Sequence, residues 1–188
     1  MKSPHYFIIE PFEGKRYDNV RKYGECEFII SSSLEDHRVT QRVGVVIDVP
    51  IFYDGPVKKG DLVIVHHNVF RVYYDMSGKE RSAWHYYKEG VYLIEQEQLY
   101  LYRNADDNKW TAPYPYCFVE PLKKKESYRA SLGVEEELMG KVVYFPKINN
   151  SLVSIDDTVS FRPDSEYEFR IDDRKLYRMK VSSLCLKV

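Results

Sequence analysis

Phe7-Ile8-Ile9-Glu10-Pro11-Phe12, near the start of the chain, returns 110 residues later as Cys117-Phe118-Val119-Glu120-Pro121-Leu122. Two further blocks follow in the same order. Gly44-Val45-Val46-Ile47 returns as Gly140-Lys141-Val142-Val143, and Gly60-Asp61-Leu62-Val63 as Asp156-Asp157-Thr158-Val159, both at an offset of 96. Val91-Tyr92-Leu93-Ile94 and Leu99-Tyr100-Leu101 return as Leu176-Tyr177-Arg178-Met179 and Leu184-Cys185-Leu186, at an offset of 85. Offsets that hold within a block and change only between blocks describe one set of strands joined by different loops, the signature of a duplication. The loop before Gly44 is then 14 residues longer than the loop before Gly140, and the middle hairpin is 11 residues longer in the first half.

Around these blocks the strand signal dominates. Val43–Ile47, Asp61–Val65, Val69–Tyr73, Val91–Ile94, Leu99–Tyr102 and Tyr167–Ile171 are short, rich in β-branched and aromatic residues, and bounded by Gly, Pro, Asp or Asn. Helical spacing is not sustained anywhere; the best helix candidate, around Gly133 to Met139, is either one or two turns at most or a loop. Many short strands separated by turns predict an all-β fold that closes its edges. The 188 residues are 44% apolar, 15% aromatic and 30% charged, which is a globular composition. With 28 basic against 29 acidic residues the net charge is −1, so the chain lacks the field that non-specific nucleic-acid binding uses. Its longest apolar runs, such as Leu62–Val65, fall far short of a bilayer, and Met1–His5 does not read as a signal peptide, so the chain is expected to be soluble and intracellular, without a membrane partner. Cys26, Cys117 and Cys185 form no CxxC pair, fit a reducing compartment and are expected to be buried small hydrophobes.

Each half reads as an opening strand ending near Pro, a variable loop, a Gly-Val strand, a turn, a Gly-Asp or Asp-Asp strand, a hairpin and two closing strands. This order resembles the GroES-type co-chaperonin family. In the first half the resemblance lies in Phe7–Pro11, Arg42–Val46 and Val57–Ile64; in the second it lies in Ile155–Phe161 and Glu166–Met179. It covers nearly the whole chain and implies two tandem small GroES-like β-barrels with long loops and hairpins, some of whose relatives are viral or phage-type. The expected barrels span 1–104 and 113–188, joined by a polar linker over 105–112. Gly60 suits a turn that a side chain resists, and Asp61 can cap backbone N–H groups beside it. Asp156 stands where the first half has Gly60, a substitution that Asp tolerates better than most residues.

In that family the loop between the first strand and the Gly-Val strand is a mobile segment whose apolar patch docks on a chaperonin ring. The corresponding segment is 15–41, with the patch Phe28-Ile29-Ile30 followed by Ser31-Ser32-Ser33. Such a patch can order on a hydrophobic groove, where burial at about 25 cal/mol per Å² offsets the ordering cost, and a ring of loops gains affinity by multivalency. The alternative is that Phe28–Ile30 forms another strand packed on the barrel. In the second half the loop is short, with Leu132-Gly133-Val134 followed by Glu135-Glu136-Glu137, so the second barrel is expected to be mainly structural. The first-half hairpin over 66–90 is expected to project as an aromatic β-arm, with Phe70, Tyr73, Tyr74, Trp84 and Tyr86 as candidate interface residues.

No catalytic or cofactor centre emerges. Gly78-Lys79 lacks the earlier glycine of a P-loop, since position 73 is Tyr. His66, His67 and His85 share the hairpin, but neighbouring strand residues face opposite ways, which argues against a metal. Cys26 with His37 lies in the loop, where nothing holds a nucleophile and base in register. Asp106-Asp107 and Asp172-Asp173 read as turn carboxylates. Three non-enzymatic roles follow. The first is a homo-oligomeric cytoplasmic co-chaperonin that assists folding on a chaperonin ring, the partner binding the ATP. The second is a structural or assembly protein that reuses the barrel against capsid or other virion proteins. The third is a small barrel that stacks single-stranded nucleic acid on Tyr73, Trp84 and Tyr86, which near-neutral charge disfavours.

Overall fold

The computed structural model describes residues 2–29, 39–104, 107, 109–123, 135–172 and 174–188. Among them there is no α-helix, only short 3-10 turns between strands. The chain divides into two compact units, Met1–Lys109 and Trp110–Val188. The first unit contains β1 (Phe7–Pro11), β2 (Val20–Tyr23), β3 (Cys26–Ile29), β4 (Val43–Asp48), β5 (Leu62–Val65), β6 (Val72–Tyr74), β7 (Glu80–Ser82), β8 (Tyr86–Lys88), β9 (Val91–Ile94) and β10 (Leu99–Arg103). The second contains β11 (Tyr116–Lys123), β12 (Glu135–Tyr144), β13 (Thr158–Phe161), β14 (Tyr167–Ile171), β15 (Arg174–Lys180) and β16 (Leu184–Lys187).

Each unit has one six-stranded antiparallel sheet, and the two sheets share an order. The first runs β10-β5-β4-β1-β9-β8; the second, read from its other end, runs β16-β13-β12-β11-β15-β14. No ladder joins the end strands of either sheet among the described residues, so each is an open six-stranded sheet. The correspondence holds residue by residue. Ile9 pairs with Val46 and Pro11 with Gly44, as Val119 pairs with Val142 and Pro121 with Gly140. Both opening strands carry a register shift at the same place, between Ile8 and Ile9 and between Phe118 and Val119. Phe7 faces Ile94 as Cys117 faces Met179, and Gly44 faces Val63 as Gly140 faces Val159. The pairings therefore run at the offsets of 110, 96 and 85 that the sequence repeats show.

The shared turn explains why Gly-Asp and Asp-Asp occur where they do. The Asp61 carboxylate accepts from the Lys58 N–H at 2.7 Å, and the Asp157 carboxylate accepts from the Ser154 N–H at 2.7 Å. One residue earlier, Gly60 (φ 90°) and Asp156 (φ 75°) take the left-handed conformation, and each donates its N–H across the ladder, to the carbonyls of Val46 and Val142 at 2.8 Å. The cores match as well. Phe7, Ile9, Val46, Val63, Val65 and Ile94 pack in one, and their counterparts Cys117, Val119, Val142, Val159, Phe161 and Met179 pack in the other. Volume is traded between equivalent positions, Phe7 for Cys117 and Val65 for Phe161, as close packing demands. The opening strands are buried on both faces: Ile8 is buried like its neighbours, and Phe118 meets Phe169 edge-on at 5.7 Å. A central strand reads as a continuous apolar run for that reason.

Several expectations need correction. The described part of the helix-or-loop candidate, Glu135 to Met139, is neither: it belongs to β12, where Lys123 pairs with Glu135, while 133–134 lie outside the described residues. Pairing with β11 outweighs the local helix preference of the Glu-rich run. The strand expected over Val69–Tyr73 begins only at Val72, because Val69 and Phe70 turn back into the core. Of the cysteines only Cys117 is buried, and burial pushes its thiol up to about 12; Cys26 and Cys185 are exposed.

Candidate partner-binding surface

The segment 15–41 is organised at its root. The Asp18 N–H donates to the Val39 carbonyl at 2.8 Å and the Gln41 N–H to the Arg16 carbonyl at 2.9 Å, and Tyr17 bridges to Thr40. Beyond this stem the chain forms a separate two-stranded hairpin, with Val20 opposite Ile29, Arg21 opposite Phe28 and Tyr23 opposite Cys26. Phe28 and Ile29 thus sit in strand β3, yet remain 53% and 70% exposed. They are in a strand, but not one buried in the sheet. Ile30, the third residue of the patch, and His37 lie outside the described residues, as do Leu132-Gly133-Val134 of the shorter loop. Glu135, read as part of a charged loop, instead accepts from Lys175 Nζ at 2.8 Å and from the Tyr177 hydroxyl, tying β12 to β15.

The 66–90 segment divides into a small hairpin, β6 with β7, and the edge strand β8. Asp75 makes its turn, accepting from the N–H groups of Ser77 and Lys79 through Oδ1 and from Arg81 Nε through Oδ2. Tyr73, Tyr74, Trp84 and Tyr86 are exposed, Trp84 at 66%. Phe70 is not an interface residue. It is fully buried, edge-on to Tyr92 at 4.8 Å, and fills the space above Gly44. A residue in an exposed aromatic hairpin reads as interface; Phe70 differs because the chain doubles back before β6 begins.

Arg16 and Tyr17, unremarked in the sequence, join the roots of the two hairpins. Arg16 Nε donates to the Phe70 carbonyl at 2.9 Å, and its Nη2 to the Arg71 carbonyl and the Ser82 hydroxyl, both at 3.2 Å. Its guanidinium lies 5.9 Å and 5.7 Å from the ring centres of Tyr86 and Tyr92. The Tyr17 hydroxyl accepts from the Val72 N–H at 2.9 Å, and burial pushes its phenol above the ordinary range. An Arg-Tyr pair in a polar stretch carries no sequence signal for contacts made 54 and more residues away.

His66 and His67 do not alternate across a strand. They follow the end of β5 in a turn, their ring centres 4.1 Å apart. No group of three or more His, Cys, Asp or Glu side chains among the described residues is arranged to hold a metal. Burial holds the His85 imidazole below its ordinary value, against an opposite push from its hydrogen bond with Gln98. No helix of the described residues is long and apolar enough to cross a membrane. No protein-family model matches the chain, and a search of curated proteins finds no match to it.

Proposed function

We propose that this chain is a co-chaperonin-like protein: two GroES-like units in tandem, of which the first presents the Phe28-Ile29-Ile30 segment to an apolar groove on a chaperonin ring. The observation that carries the reading is the exposed pair Phe28 and Ile29 on a hairpin outside the six-stranded sheet, rooted by the 16–18 and 39–41 stem. A two-stranded tip that is not a member of the six-stranded sheet can be captured by a hydrophobic groove without disturbing the core, and each such contact is weak enough to release. Multivalency in a homo-oligomer supplies the affinity, and ATP belongs to the partner. Support for the family comes from the repeated strand order and from the turn that both units build at Asp61 and Asp157.

The test compares the native chain with the triple variant Phe28→Ala/Ile29→Ala/Ile30→Ala in a chaperonin pull-down with ATP and in the partner's ATPase assay. The native chain is expected to be retained and to alter the ATPase; the variant is expected to lose both. Equal retention of the two would remove the docking assignment. The exposed aromatics of the 66–90 segment favour a second reading, an assembly protein fixed against virion neighbours, because large rigid rings bury area at low entropic cost. Under it the chain co-purifies stoichiometrically with a particle and ignores a chaperonin.

A further inference from the structure

A cavity of about 440 Å³ opens beside the β6–β7 hairpin, with Arg71, His85, His66, Asn68, Gln98 and Trp84 among the residues lining it. None of its lining residues is acidic. The proton positions inside it follow from the hydrogen bonds. Gln98 Oε1 accepts from the Glu95 N–H at 3.0 Å, closing the 3-10 turn Gln96–Gln98. That bond orients the amide, so Gln98 Nε2 is the atom that meets His85 Nε2, at 2.6 Å. An amide nitrogen only donates; His85 Nε2 is therefore the acceptor, and the neutral ring carries its proton on Nδ1. His85 is 4% exposed, and its Nδ1 is buried with no hydrogen-bond partner. Arg71 Nε, a nitrogen that can only donate, is likewise buried with no partner. His66 Nδ1 accepts from the Asn68 N–H at 3.1 Å, so its proton sits on Nε2 and it too is a donor.

Buried donors are costly to leave unanswered, and two of them on residues that share one cavity call for a common acceptor. A cationic guanidinium and an imidazole side chain lining one cavity, with no carboxylate in the lining, select an anion. We propose that this cavity binds a small oxyanion, a carboxylate or a phosphate, whose oxygens accept from the Arg71 guanidinium and from His85 Nδ1–H. An apolar remainder of the ligand lies against Trp84, whose ring stacks on His85 with centres 3.9 Å apart. The site is independent of the co-chaperonin reading, since it asks nothing of the Phe28–Ile30 segment.

The full chain is titrated with inorganic phosphate and, separately, with benzoate, each against chloride at matched ionic strength. The readouts are the His85 Nδ1–H proton resonance in the unmutated chain and, in a Trp110→Phe background that leaves Trp84 as the one tryptophan, its emission. A saturable change in both readouts is expected with at least one anion; response to phosphate alone assigns a tetrahedral ligand, and response to benzoate alone a planar carboxylate. Arg71→Gln is expected to weaken the response about tenfold or more, the loss of a charge-assisted hydrogen bond, with Arg71→Lys intermediate. The unfolding midpoint of each variant without anion reports that the fold is kept. Absence of any saturable change beyond chloride, or binding undiminished in folded Arg71→Gln, would overturn the site.

Discussion

Gly44 and Gly140 occupy equivalent ladder positions, opposite Pro11 and Pro121, and the space each leaves is used differently. A Cβ on Gly140 would collide with Val119 Cγ1 and stand 2.7 Å from the Glu120 carbonyl oxygen, a backbone atom that cannot swing aside. On Gly44 the nearest atoms, the Glu10 carbonyl oxygen, Ile9 Cδ1 and Phe70 Cζ, are all at 3.2 Å, so smaller movements suffice. Both alanine variants are therefore expected to lose stability, Gly140→Ala by about 1–3 kcal/mol and Gly44→Ala by less, the usual range for overpacking. Chemical denaturation of the two variants checks the order, and equal midpoints would refute it. Repetition of these glycines was visible in the sequence; the reason for them, close approach of the opening strand, was not.

At the scale of elements, the hairpins are governed by contacts at their roots. The Tyr17 hydroxyl answers the first amide of β6, so Tyr17→Phe leaves the Val72 N–H without its acceptor. Hydrogen exchange at Val72 is expected to quicken in that variant while the Asp18 amide, bonded to the Val39 carbonyl, keeps its protection. Unchanged exchange at Val72 would mean that the hairpins are not joined there. In the second unit the tie between β12 and β15 responds to pH. Burial raises the Glu135 carboxyl, but hydrogen bonds from Lys175 and Tyr177 outweigh it and hold the group below its ordinary value. A lowered folded value means that this stabilisation is present above the unfolded carboxylate pKa, about 4.3, and is lost as pH falls through the folded one. Glu135→Gln is accordingly expected to flatten the acid limb of the stability profile and leave the neutral region's slope unchanged. A steep acid limb identical to that of the native chain would show that Glu135 does not titrate with folding.

For the whole molecule, the order of strands was legible because a duplicated chain repeats what local chemistry demands. The Asp61 and Asp157 turns, the left-handed positions at Gly60 and Asp156, and the apolar runs of β1 and β11 all depend on neighbours close in sequence or on two-sided burial in the sheet centre. Constant offsets then imply that equivalent strands pair in equivalent registers, since a one-residue slip would turn the apolar positions of a strand to the wrong face. What lay beyond reach was decided by contacts distant in sequence. Phe70 is a core residue because the chain turns back over Gly44, Glu135–Met139 is strand because β11 supplies a ladder, and Arg16 meets Phe70, Arg71 and Ser82 only in the folded unit. The amino-acid sequence by itself determined an all-β chain of two like-ordered halves, because turns and alternation are local. Only the tertiary structure decided which aromatics face solvent, how the two hairpins of the first unit are rooted, and where unanswered donors gather, because burial and hydrogen-bond partnership belong to the packed chain.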